Sequence, residues 1–186
     1  MSVEPSAAPL TFETLYSEPS IIGTLPVSAC WSADGNSLAF LWNDEGHTFR
    51  DIWIWERGTK ARRRLTHLGT GRTSGEPTGI AELAWLSEGR LALVLQGQLY
   101  LVAADGAVSP LAIGTQGVRA IAASSDGTKL AFLSGNALMT VAADIAAQPK
   151  TLVVGSKFVG VESSQWAANG NLVFVEADDT NTRKIE

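Results

Sequence analysis

Trp31-Ser32-Ala33-Asp34-Gly35-Asn36-Ser37-Leu38-Ala39-Phe40-Leu41 decides how this chain reads. Asp-Gly supplies the positive φ that a tight turn needs. The residues around it are aromatic, small or Leu and partly alternate, the pattern of two strands joined as a hairpin. The same grammar returns as Trp85-Leu86-Ser87-Glu88-Gly89 before Leu91–Val94, as Ala123-Ser124-Ser125-Asp126-Gly127 before Leu130–Leu133, and as Trp166-Ala167-Ala168-Asn169-Gly170 before Leu172–Val175. Each time an acidic residue or Asn precedes the Gly, and an apolar run follows. The four glycines are 54, 38 and 43 residues apart.

Two more strand-like runs follow each of the first three hairpins. They are Asp51–Trp55 and Arg63–Thr66, Gln98–Val102 and Val108–Ala112, and Ala137–Val141 and Lys150–Val154. Four strands in a unit of about 45 residues is the period of a β-propeller blade. Helix signals are sparse. Ala142–Gln148 is Ala-rich but too short for an independent helix, and it falls where a hairpin loop is due, so it reads as a turn. The expected fold is all-β: a partial β-propeller of about three and a half four-stranded antiparallel blades. Residues 1–27 read as a lead-in and 28–186 as propeller, with blades near 28–67, 80–113, 118–154 and an incomplete 159–186. Such rings close with several blades, here seven or eight, because closure hides the sheet faces. Three and a half blades leave faces open. The chain is therefore expected to be a fragment of a longer protein, self-association being the other route to closure.

Composition narrows the function classes. The chain has 186 residues, 45% hydrophobic and 18% charged, which suits a packed core rather than disorder. Its net charge of −5 argues against nucleic acid and anionic membrane as partners. The start, MSVEPSAAPL, has neither a basic n-region nor an apolar h-region, and no apolar run approaches the ~18 residues of a membrane span. A soluble, cytoplasmic chain is expected. Cys30, the only cysteine, reads as a small buried hydrophobe. With only His47 and His67 beside it, no thiolate or imidazole zinc cage is expected, and no cofactor.

Trp-Ser-x-Asp-Gly-x-x-Leu-Ala-Phe, then Asp51-Ile52-Trp53, then Arg64-Leu65-Thr66, resembles the blades of two groups. One is the N-terminal propeller of dipeptidyl-peptidase-IV-like serine peptidases of the prolyl oligopeptidase family. The other is the TolB-like propeller repeat. The lead-in Leu10–Ser20 followed by Gly23 looks like the segment before the first blade in the peptidases and favours them. That resemblance implies a non-catalytic propeller that gates peptide substrates for a downstream α/β-hydrolase domain, which would hold the catalytic Ser, Asp and His and is absent from this chain. The peptidases' paired-Glu motif for the substrate amino terminus has no counterpart here, because no two Glu are adjacent. The TolB-like alternative implies a protein-interaction propeller without enzymatic activity.

No catalytic residue is expected within the chain. Gly71-Arg72-Thr73-Ser74-Gly75 is not the Gly-x-Ser-x-Gly of a nucleophile elbow. The glycine-rich stretch from Gly69 lacks the Gly-Lys-Ser/Thr and following helix of a phosphate loop, and reads as an inter-blade connection. Lys60-Ala61-Arg62-Arg63-Arg64 reads as an exposed outer strand whose charges block edge pairing. Glu176 with Asp178-Asp179 lacks calcium-loop spacing and reads as a solvated turn. Trp31, Trp85 and Trp166 share a repeat position and are expected to pack between blades.

One asymmetry marks a candidate binding face. The loop after the second strand is tight in the second and third units, Gln96-Gly97-Gln98 and Ser134-Gly135-Asn136. In the first it is long and polar, Asn43 to Arg50. The 69–79 connection should lie on the same face. Enlarged loops on one face of a rigid scaffold often carry binding. The candidate contacts are Asn43, Asp44, Glu45, His47, Arg50, Arg72 and Glu76.

Overall fold

A side-chain acceptor just before glycine closes three of the four hairpins, while in the second Arg90 N closes the turn on Ser87 O at 3.2 Å. The computed structural model describes residues 11–70 and 79–178. In it Gly35 and Gly127 both sit at φ 66°. Asp34 Oδ1 accepts from Ser32 Oγ at 2.6 Å and from Asn36 N at 3.0 Å. Asp126 repeats the arrangement with Ser124 Oγ at 2.6 Å and Thr128 N at 3.0 Å. Asn169 Oδ1 takes the same backbone donor, Asn171 N, at 3.0 Å. The turn therefore needs a short side chain with an acceptor oxygen, which is why Asp or Asn recurs before the Gly.

These hydrogen bonds favour the ionised form of Asp126. The Ser124 hydroxyl contributes most, followed by the Thr128 amide, and they lower its pKa from the ordinary 3.8 to about 2. A lowered pKa in the folded state contributes stability above 3.8 that is lost as pH falls through about 2. The carboxyl carbon of Asp126 is thus expected to titrate with a midpoint near 2. A midpoint at the ordinary value would contradict the turn geometry.

The strands form antiparallel meanders. The first sheet runs β1 (Val27–Trp31), β2 (Ser37–Trp42), β3 (Asp51–Glu56), β4 (Arg62–Arg64). The second runs β5 (Ile80–Trp85), β6 (Leu91–Leu95), β7 (Gln98–Val102), β8 (Val108–Pro110). The third runs β9 (Val118–Ala123), β10 (Lys129–Ser134), β11 (Ala137–Ala142), β12 (Lys150–Val154). The fourth pairs β13 (Val159–Trp166) with β14 (Leu172–Asp178). This is the partial β-propeller that the repeats predict. The innermost strands β1, β5, β9 and β13 neighbour one another in turn. The Ala-rich stretch after β11 is a turn, closed by Ala147 N to Asp144 O. The sequence reading missed α1 (Phe12–Tyr16), a five-residue helix in the lead-in with no buried residue, whose signal is the N-cap Thr11, accepting from Thr14 N at 3.2 Å.

Alternation assigns each strand's residues to two layers. Leu91, Leu93 and Leu95 of β6 pack with Ala39, Leu41, Ile52 and Ile54 of the first sheet. Their neighbours Ala92 and Val94 pack with Leu130 and Phe132 of the third. Ala131 and Leu133 then face Val161 and Trp166 of the fourth. The continuous apolar run Leu91–Leu95 is buried on both sides, which explains its lack of polar alternation. Each fully buried Leu or Phe in these layers is worth about 1.5–3 kcal/mol by transfer alone.

Indole N–H groups tie the layers together. Trp85 Nε1 donates to Cys30 O at 2.9 Å, and Trp166 Nε1 to Ala122 O at 3.1 Å. In both cases the acceptor is the residue just before the equivalent repeat position of the preceding sheet. These two tryptophans pack between blades as expected. Trp31 differs: it is 49% exposed, because no described sheet lies on that side of the first blade.

Candidate functional site

The 43–50 loop is organised by its first side chain. Asn43 is buried. Its Oδ1 accepts from Glu45 N and His47 N, each at 3.0 Å, and its Nδ2 donates to Phe49 O at 2.9 Å. The loop is thereby fixed from within, and Asp44, Glu45 and His47 are left exposed. Asn43→Ala removes all of these bonds and is expected to cost about 1–3 kcal/mol. It should also speed hydrogen exchange at the Glu45 and His47 amides. Unchanged exchange there would contradict this role.

The lead-in straps this loop. Ser20 N donates to Gly46 O at 2.8 Å, and Thr24 Oγ1 to Asn43 O at 2.7 Å. Trp42 Nε1 donates to Thr24 O at 2.7 Å, and Arg50 Nε to Leu25 O at 3.3 Å. Gly46 sits at φ 87°, and a Cβ there would lie 2.7 Å from Ser20 O, so the close approach requires glycine. Arg50 is thus held by the lead-in, while the tip carries the exposed polar groups.

The 69–79 connection does begin and end beside this loop. Cβ atoms built on Gly69 and Gly79 would both meet the Phe49 ring, at 2.7 and 3.5 Å. Arg72 and Glu76, the two candidates between those glycines, lie outside the described residues. The tight loops of the other blades share the face: Val118 N bonds Gly97 O, and Gly155 N bonds Asn136 O.

Beneath the loop lies a polar hub whose role the sequence motif did not disclose. Asp51 is fully buried. Its carboxylate accepts from Arg64 Nη2 at 2.7 Å, Thr66 Oγ1 at 2.8 Å, Leu68 N at 2.6 Å and Gly69 N at 3.1 Å. Thr66 Oγ1 in turn accepts from Ile52 N at 3.0 Å. Every partner lies in or just after the Arg-Leu-Thr triplet, so the spacing of Asp51 from Arg64-Leu65-Thr66 was the available signal. Arg64 accordingly departs from the expected exposed basic strand: it is half-buried and paired, while Arg62 and Arg63 remain exposed.

His47 and His67 are both exposed. Cys30 is half-buried, and burial pushes its thiol up to about 11, which leaves it a poor nucleophile at neutral pH. Among the described residues, no three His, Cys, Asp or Glu side chains converge as a metal site would require. Among the same residues, no helix is long and apolar enough to cross a membrane.

Solved structures share this arrangement of sheets. A putative TolB from Agrobacterium tumefaciens superposes with a TM-score of 0.60 at 17% identity, over 84% of this chain and 59% of that one. The shared fold is the β-propeller. TolB from Acinetobacter baumannii gives a TM-score of 0.50 at 22% identity, over 77% of this chain and 35% of that one. Virginiamycin B lyase from Staphylococcus aureus gives 0.54 at 16% identity, over 81% and 48%. At these identities the likeness concerns the fold alone. The chain spans about three fifths of the Agrobacterium protein's length, at 59%. No family model and no curated protein matches the sequence.

Proposed function

We propose that this chain is part of a non-enzymatic, TolB-like protein-interaction propeller, with its contact surface on the 43–50 loop face. The observation that carries this reading is the loop itself. Asn43 fixes its backbone, the lead-in straps its base, and Asp44, Glu45 and His47 stand exposed at its tip. A preordered polar knuckle loses little conformational freedom on docking, which favours recognition of a protein surface. Its two carboxylates suit a partner that presents Lys, Arg or free backbone N–H groups.

The TolB neighbours support this reading over the peptidase gate, which has the lead-in in its favour, the blade motif being common to both groups. None of the structural neighbours above is described as a peptidase.

Site-specific photocrosslinking in the native cells tests the reading. A photoreactive residue at position 45 should capture a discrete protein, and the same residue at Lys150, on the outer strand of the third blade, should not. A fluorophosphonate probe should leave the native gene product unlabelled. Equal capture from both positions, or fluorophosphonate labelling with peptide hydrolysis by that product, would overturn it.

A further inference from the structure

Two inner strands carry the same unusual bulge. Ser28 in β1 and Ala120 in β9 sit at φ 53° and 52°, a region that costs non-glycine residues. Both lie three residues before the hairpin position, Trp31 or Ala123. In the third blade the reason is visible. The bulge turns Ala120 N and Ile121 N toward the Glu82 carboxylate of the preceding blade, each at 2.8 Å. Glu82 itself occupies that same position, three before Trp85.

The other two inner strands supply a contrast. Neither β5 nor β13 has a positive-φ residue. The blade preceding each offers Ser28 or Ala120 at the corresponding position, not a carboxylate. The positive-φ bulge therefore accompanies a carboxylate from the neighbouring blade. The first blade has the bulge, and among the described residues no carboxylate meets it.

The rest of that uncovered side fits the same kind of occupant. Trp31 is 49% exposed, whereas its equivalents Trp85 and Trp166 each donate to a carbonyl of the preceding blade. Trp53 Nε1 is buried without a partner among the described residues. Trp31, Trp42, Trp55, Leu38 and Phe40 line an apolar groove of ≈ 540 Å³. Arg57 and Arg62 stack on Trp31 and Trp42 at 5.0 and 4.9 Å, adding positive charge to the rim.

We propose that the uncovered side of the first blade binds an acidic β-strand. A Glu or Asp of that strand takes the Ser28 and Ala29 N–H groups, and the carbonyl two residues later takes Trp31 Nε1. The spacing follows from the repeat, because the carboxylate acceptor and the indole acceptor lie three and one residues before the hairpin position. β5, with Glu82 and Ala84, has this pattern. The uncovered side of a second copy fits less well, since β13 presents Ser163 at the carboxylate position. This site is separate from the loop face, and its success or failure leaves the photocrosslinking result at Glu45 unaffected.

A peptide with the sequence of residues 79–89, GIAELAWLSEG, is the probe, titrated into the isotope-labelled chain. The Ser28 and Ala29 amides and the Trp31 indole should shift together. Replacing the peptide's Glu82 by Gln should weaken binding at least about tenfold, since it removes a charge-assisted pair of hydrogen bonds. Trp31→Phe in the chain keeps a ring in place and should weaken binding a few-fold. Equal affinity for the two peptides, shifts that leave Ser28 and Ala29 unmoved, or no binding up to about 1 mM would overturn the proposal. So would self-association that buries Trp31 with no response to peptide.

Discussion

Asp51→Ala is expected to destabilise the chain by about 3–5 kcal/mol, the cost of removing one partner from a buried, hydrogen-bonded ion pair. The substitution strands Thr66 Oγ1, Leu68 N and Gly69 N and leaves the Arg64 guanidinium without its counterion. Arg64→Ala should cost less, about 2–3 kcal/mol: it leaves the buried Asp51 carboxylate without its counterion, but the Thr66 Oγ1, Leu68 N and Gly69 N hydrogen bonds remain to hold that charge. The double variant should fall short of the sum of the two, since both remove the same pair. Urea unfolding of the three variants measures this. An Asp51→Ala cost no larger than that of Arg64→Ala would mean that the hub does not hold the first blade to its connection.

Leu130→Ala should cost about 2–5 kcal/mol, while Leu38→Ala costs about 1 kcal/mol. The two leucines hold the same place in the repeat, both facing the preceding blade. Leu130 is fully buried against the second sheet. Leu38 faces the uncovered groove and is only half-buried, so its truncation loses less transfer energy and leaves no closed cavity. The pair reads the uncovered side as a stability difference. Equal losses would mean that the first blade is covered in solution.

The hairpin grammar made the fold legible, because Asp-Gly and Asn-Gly turns are local events whose geometry a few residues dictate. The layering was not: Leu91–Leu95 is a continuous apolar run, and only the folded chain shows Leu91 and Ala92 packing against opposite neighbours. The candidate loop was found by its length and polarity, but its internal order was not. Asn43 looked like one more exposed polar residue, and only the folded chain shows its amide bonding Glu45, His47 and Phe49. The Asp51 hub joins residues up to 18 apart, beyond the reach of a local pattern. The bulge at Ser28 left no trace in composition, because Ser and Ala carry no preference for positive φ. It is recognised only by comparing equivalent positions of the folded repeat.

Hydrogen exchange of the indole N–H groups reads the blade-to-blade contact repeated along the chain. Slow exchange is expected for Trp85 and Trp166, each bonded to a carbonyl of the preceding blade, and fast exchange for Trp31, half-exposed on the uncovered side. Trp31 exchanging as slowly as Trp85 in the chain alone would contradict this expectation.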